Sequence, residues 1–206
     1  CMQKLFIVSL LCSALLACNN QQKKNEEAAS IKMLASPAGD SCAEPYLFTD
    51  AKGMVHLSWV EKKGKTSTLF FSSLQNEQWS TPVAVSSGNN WFVNWADYPV
   101  ISSDANGNML AHFLEKSDTA KFTYDVKVTA SSDHGKTWSK ATVLHDDGKK
   151  AEHGFVSIIP YNDQFMVSWL DGRKTAMEGE HSGHEGHHGE MTLRGALLDK
   201  VGKKTK

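Results

Sequence analysis

The feature that most constrains this chain is that it repeats itself. Asp50-Ala51-Lys52-Gly53 leads into the alternating run at residues 54–61, and Asp104-Ala105-Asn106-Gly107 leads into residues 108–115. Sliding the sequence by the separation of Asp50 and Asp104 places Gly53 on Gly107, Trp59 on Phe113, Glu61 on Glu115 and Pro45 on Pro99. A third copy at residues 162–171 carries Trp169 and Asp171 at the corresponding places. Within each copy apolar and polar residues alternate with period two, the pattern of a strand with one face buried. Downstream of the N-terminal segment no stretch holds a 3.6-residue apolar stripe. The pattern predicts an all-β domain.

Each copy predicts a strand, a tight turn and a second strand: residues 46–48 with 54–60, 100–102 with 109–114, and 156–159 with 165–170. A further hairpin follows, from 68–73 into 79–83 and from 124–129 into 138–143, with residues 192–198 as the third strand of the last unit. Four strands recurring at roughly 50 residues are the signature of propeller blades. A β-sandwich does not repeat its own sequence at that spacing. The expectation is a β-propeller over residues 41–206 with about three blades present. Propellers close with about four to eight blades, so the chain is expected to be a partial propeller from a longer protein.

Ahead of the repeats lies a targeting segment. Lys4 supplies positive charge and residues 5–16 are almost wholly apolar, too short a run to span a bilayer. Leu15-Leu16-Ala17-Cys18 resembles the bacterial lipobox, which implies cleavage before Cys18 and lipid attached through its thiol. The expected layout is a signal peptide at 1–17, then the lipidated Cys18 and a flexible, charged tether at 18–40. This implies a bacterial outer-membrane lipoprotein, facing the periplasm or the cell surface, with the membrane as a partner. Lys and Arg number 22 against 23 Asp and Glu. That balance speaks against nucleic acid as a partner, which calls for a basic excess.

Ser131-Ser132-Asp133-His134-Gly135-Lys136-Thr137-Trp138 fits Ser-x-Asp-x-Gly-x-Thr-Trp at every defined position. Asp133 can accept N–H groups of its own turn. Gly135 supplies a positive φ. Trp138 enters the next strand and can fill the space between blades. The segment resembles the Asp-box, or bacterial neuraminidase repeat, of sialidase-type propellers. The resemblance implies a sialidase-type propeller with Ser131, Asp133, Gly135, Thr137 and Trp138 as structural residues. It also raises exo-α-sialidase-type glycoside hydrolysis, which in that family needs three arginines, a Tyr/Glu pair and an Asp acid/base. Here the family's Arg-Ile-Pro motif is missing, and Arg173 and Arg194 are the chain's two arginines. Catalytic residues are therefore left unassigned. The leading reading is a lipid-anchored propeller that binds an extracellular glycan. The alternatives are a sialidase-type hydrolase in a longer parent, or a metal-handling lipoprotein.

Asp171 and Arg173 are ligand-binding candidates, because an Arg in a projecting turn can fork onto a carboxylate or sulfate. The competing reading is a salt bridge within the turn. Trp91 and Trp95, with Phe92, can stack on sugar rings or pack between blades. Glu61, Glu115 and Asp171 occupy equivalent positions and either ring an acidic pocket or lie solvated. The stretch 178–190 holds His181, His184, His187 and His188 among Gly and Glu. Imidazole suits Zn²⁺, Cu²⁺ or Ni²⁺, although the fold requires no cofactor and the stretch also reads as a hydrophilic insertion.

Overall fold

The computed structural model describes residues 31–175 and 190–205. The signal segment, Cys18 and the four histidines at 181–188 lie outside the described residues. No helix occurs among those described.

The first blade contains β1 (Cys42–Thr49), β2 (Val55–Lys63), β3 (Thr66–Gln75), the two-residue β4 (Gln78–Trp79) and β5 (Val83–Gly88). β1, β2 and β3 pair in order, all antiparallel, and β5 and β4 both pair with β3. The second blade is β6 (Ile101–Ser103), β7 (Met109–Lys116), β8 (Tyr124–Ser131) and β9 (Thr142–Val143), also in order. The third is β10 (His153–Tyr161), β11 (Gln164–Asp171) and β12 (Thr192–Leu198). These strands coincide with the repeat units to within a few residues. β6 packs against both β1 and β10, so the first strand of each blade lies on a shared inner side.

The core lies between blades, not within them. Val60, Leu69 and Phe71 of the first blade close on Ile101, Met109 and Ala111 of the second. Leu110, Val126 and Val128 of the second close on Ile158, Phe165 and Trp169 of the third. Alternation makes this possible, because one face of each twisted sheet meets the next sheet. Each large apolar side chain buried there contributes about 1.5–3 kcal/mol.

One turn device recurs. Asp50 Oδ1 accepts the N–H groups of Lys52 and Met54, each at 2.9 Å. Asp104 Oδ1 does the same for Asn106 and Asn108, each at 2.8 Å. Asp199 Oδ1 repeats it for Val201 at 3.0 Å and Lys203 at 2.8 Å. In all three turns the glycine three residues on has φ near +80°. The Asp199 turn follows β12, at the place the Ser131–Trp138 turn holds in the second blade.

The Ser131–Trp138 turn is a closed hydrogen-bond unit. Ser131 Oγ donates to Asp133 Oδ1 at 2.7 Å and accepts the Gly135 N–H at 2.9 Å. Asp133 accepts the N–H and hydroxyl of Thr137 at 2.9 and 2.7 Å. Led by the Thr137 amide, these donors hold the Asp133 carboxyl down at about 2. Trp138 donates to the Gly135 carbonyl at 3.0 Å and meets Phe71 of the first blade edge-on at 6.1 Å. Trp138 therefore does reach the neighbouring blade. It does so from the turn, because β9 begins only at Thr142. It is half-buried, since one side of the turn faces solvent.

Candidate ligand-binding site

The His134 N–H of the Ser131–Trp138 turn donates to the Gly107 carbonyl in the β6–β7 turn, 3.1 Å away. Both turns therefore lie at one end of the second blade. The connections between blades, residues 89–100 and 144–152, emerge at the other end, where the chemistry gathers.

Asp97 of the first connection is 4% exposed. Its Oδ1 accepts the Phe155 N–H at 2.8 Å, and the Tyr124 hydroxyl stands 3.5 Å from its Oδ2. That hydroxyl donates to Glu152 Oε1 at 2.6 Å. Phe155 is the bulged residue of β10, with φ +54°. Such bulges re-aim groups near sites, and this one accompanies the amide turned to Asp97. β1 carries its bulge at the matching position, Glu44, with φ +59°. Glu44 Oε2 is buried with no hydrogen-bond partner among the described residues. Burial, then the Asp97 charge, pushes the Glu44 carboxyl up to about 7. Burial also pushes Asp97 up to about 6, against the pull of the Phe155 amide. Burial and the Glu152 hydrogen bond raise Tyr124 above the ordinary phenol range, so it remains a donor. Phe92 stacks on Tyr124 at 4.1 Å and fixes its ring.

Aromatic residues flank this acidic group. Trp95 is 85% exposed. It sits in a tight turn closed by Asp97 N–H donating to the Asn94 carbonyl at 3.1 Å, and by Ala96 N–H donating to Asn94 Oδ1 at 2.8 Å. Tyr98, Phe122 and Phe155 are also exposed. Carboxylates that accept hydroxyl hydrogen bonds, beside rings that stack on C–H faces, suit a polyhydroxylated ligand.

The other candidates separate. Asp171 has no exposure, contrary to the solvated reading of the repeat acids. It accepts Trp169 Nε1 at 3.0 Å, Arg173 Nε at 2.7 Å and Arg173 Nη2 at 2.8 Å. A buried carboxylate requires such partners. Arg173 is thereby committed to its own turn and is not a free fork for a ligand carboxylate. Trp91 stacks on Phe113 at 4.2 Å and is half-buried at the seam of the first two blades. Its part is packing, although it also lines a groove of about 350 Å³ with Lys62, Lys65 and Asn89. Glu61 accepts Trp59 Nε1 at 2.8 Å and the Gly39 N–H at 2.9 Å, and Glu115 pairs with Lys127 at 2.9 Å. Each repeat acid is satisfied locally, so the three do not ring a pocket.

Sequence reasoning missed Glu44, Asp97, Tyr124 and Glu152, which come from two blades and the two connections between blades and share no motif. It also missed two His/Asp groups that are able to hold a metal: Asp125, His145 and His153, and Asp147, His153 and Asp171. His145 and His153, on either side of Asp146-Asp147, were the available signal.

No family model matches the chain, and no curated protein matches it. Among solved structures it is similar to an endo-arabinase from Bacteroides thetaiotaomicron, with a TM-score of 0.50 and 13% identity over 79% of this chain and 58% of that one. It is also similar to an alpha-L-arabinanase from Penicillium chrysogenum, with a TM-score of 0.50 and 14% identity over 75% of this chain and 45% of that one. The chain thus spans about half the length of these β-propeller glycosidases. A sialidase from Streptococcus pneumoniae aligns at a TM-score of 0.39 and 19% identity, over 70% of this chain and 20% of that one. At these identities the likeness concerns the fold: the chain is all-β and forms part of a β-propeller, with three blades among its described residues.

Proposed function

We propose that this protein binds an extracellular carbohydrate at the end of the blades that carries Asp97, as a lipoprotein anchored through Cys18. The observation that carries the reading is Trp95, held 85% exposed on a rigid turn beside a buried carboxylate. Tyr98, Phe122 and Phe155 are exposed with it, and an exposed apolar patch rimmed by polar groups marks a binding face. Titration calorimetry with arabinan, xylan and a sialylated oligosaccharide tests the proposal. One of these binds, and Trp95→Ala weakens that binding about tenfold or more, a loss of the size expected of an aromatic anchor. Failure of all three to bind, or equal binding by the variant, removes this reading. Anchoring is tested separately: labelled palmitate enters the chain and not Cys18→Ser.

A second reading, glycoside hydrolysis, is favoured by Glu44. A carboxyl raised to about 7, with an oxygen free of partners, is poised to give up a proton near neutrality. Asp97 beside it supplies the second carboxyl that such chemistry uses. Release of reducing sugar from the bound polysaccharide, abolished by Glu44→Gln with binding retained, establishes it. Binding without release leaves the protein a binding module.

A further inference from the structure

We propose that the groove between the Lys62–Lys65 turn and Asn89 binds the carboxylate or sulfate groups of an acidic glycan. The inference rests on the carbohydrate reading and names the class of sugar. The groove holds about 350 Å³ at the seam of the first two blades, between Lys62, Lys65 and Ser67 on one side and Asn89, Trp91 and Val93 on the other. Its second wall belongs to the connection at 89–100, which continues to Trp95 and Asp97. The two tryptophans share that connection, so one oligosaccharide can span both.

The lining is one-sided in charge and in hydrogen bonding. Lys62 and Lys65 are exposed, and neither ammonium group has an ion-pair partner among the described residues. No carboxylate is among the described residues that line the groove. The acids on the adjoining strands are engaged elsewhere. Glu61 accepts Trp59 Nε1 and the Gly39 N–H, and Glu115 pairs with Lys127. Asn89 Oδ1 accepts the Thr66 hydroxyl at 2.7 Å, which leaves the two amide N–H groups as the free end of that side chain. Two uncompensated ammonium groups and an amide donor in a concavity focus positive potential, which draws an anion in.

The groove also has an apolar wall. Trp91 stacks on Phe113 at 4.2 Å, and a Cβ at Gly88 would lie 2.4 Å from its Nε1, so the indole is pressed against the end of β5 and held still. Val93 beside it is 39% exposed. An inorganic anion would use only the charges. A sugar that carries an acidic group also lays its C–H face on the apolar wall, so the groove suits a glycan better than a free ion. Lys65 is fixed at the tip of the β2–β3 hairpin, where Gly64 at φ +61° makes the two-residue turn. Lysine ammonium groups act as point charges and bind carboxylate and sulfate alike.

Titration calorimetry of the purified chain tests the proposal with three polymers of galactose-type sugars: neutral galactan, polygalacturonate with carboxylates only, and carrageenan with sulfates only. At least one acidic polymer binds about tenfold or more tighter than galactan at low salt, and about 0.5 M salt removes most of the difference by screening exposed charges. Which of the two binds identifies carboxylate or sulfate as the group held. Lys62→Gln with Lys65→Gln weakens acidic binding about fivefold or more. Asn89→Asp, which keeps the shape and the Thr66 contact, weakens it too by placing a negative charge in the groove. Both leave galactan binding unchanged. Lys52→Gln with Lys136→Gln removes the same charge from exposed turns at the opposite end and leaves acidic binding intact. Acidic polymers that bind no better than galactan overturn the proposal, as does a groove pair that weakens binding no more than the distant pair. Either result leaves the carbohydrate reading to its own test with Trp95→Ala.

Discussion

The indole of Trp169 donates to the carboxylate of Asp171, two residues further along the same strand, at 3.0 Å. The first blade repeats the arrangement between Trp59 and Glu61, at 2.8 Å. In the second, Phe113 has no donor and Glu115 turns to Lys127. The pair in the third blade is buried and holds Arg173 as well, so it is the costly one to break. Asp171→Ala is expected to destabilise by about 3–5 kcal/mol, the usual loss when one partner of a buried ion pair is removed. Trp59→Phe, which copies the second blade, should cost about 2–3 kcal/mol, one hydrogen bond plus the space the smaller ring leaves in the core. Denaturant unfolding of both variants measures the difference.

Gly135 has φ +77°, and a Cβ there would lie 2.3 Å from Phe71 Cζ. Gly135→Ala is therefore expected to cost about 2–4 kcal/mol, from left-handed strain and overpacking together. Trp138→Ala should cost about 2–3 kcal/mol, below the value for a fully buried indole because the ring is half-buried. Unfolding midpoints that match the parent would show that the Ser131–Trp138 turn does not brace the first two blades.

Stability should peak in mildly acidic solution. Burial raises Glu44 to about 7 and Asp97 to about 6, so folding favours their protonated forms. Their contribution is fully present below about pH 4 and is lost as pH rises through 6 to 7. Burial also works to raise Asp171 and Asp147, but hydrogen bonds from Arg173 and from His145 outweigh it and leave both depressed. Their contribution is present above about pH 4 and is lost as pH falls below it. Glu44→Gln should flatten the alkaline limb of a melting-temperature profile and leave the acid limb in place. An unchanged alkaline limb would exclude Glu44 as its source.

Trp95→Ala should change stability by no more than about 0.5 kcal/mol, because the side chain gives up almost no buried area. Any loss of carbohydrate binding in that variant then reports on contact with the ligand. A large fall in melting temperature would instead make Trp95 a structural residue.

No release of sialic acid from a fluorogenic sialoside is expected. Arg173 and Arg194 both approach Asp171, at 2.7 and 3.5 Å. Arg173 is held by its own turn, which leaves Arg194 as the one guanidinium able to turn to a substrate carboxylate, where that chemistry uses three. Turnover that disappears in Arg173→Ala would contradict this.

The strands, the three-fold repeat, the Asp133 turn and the Asp-x-x-Gly turns were legible in the sequence because each is local. Period-two alternation marks a half-buried strand whatever its neighbours are, and a turn closed by its own Asp side chain needs nothing distant. What only the tertiary structure decided is which polar groups lose water together. Glu44, Asp97, Tyr124 and Glu152 belong to separate units of the repeat, and no spacing announces that they meet. The bulges at Glu44 and Phe155 interrupt the very alternation by which the strands were read. Asp171 looked the same as Glu61 in the repeat, yet only Asp171 is fully buried. The identity of an acid does not say whether the next blade covers it, and coverage sets its charge, its partners and its chemistry.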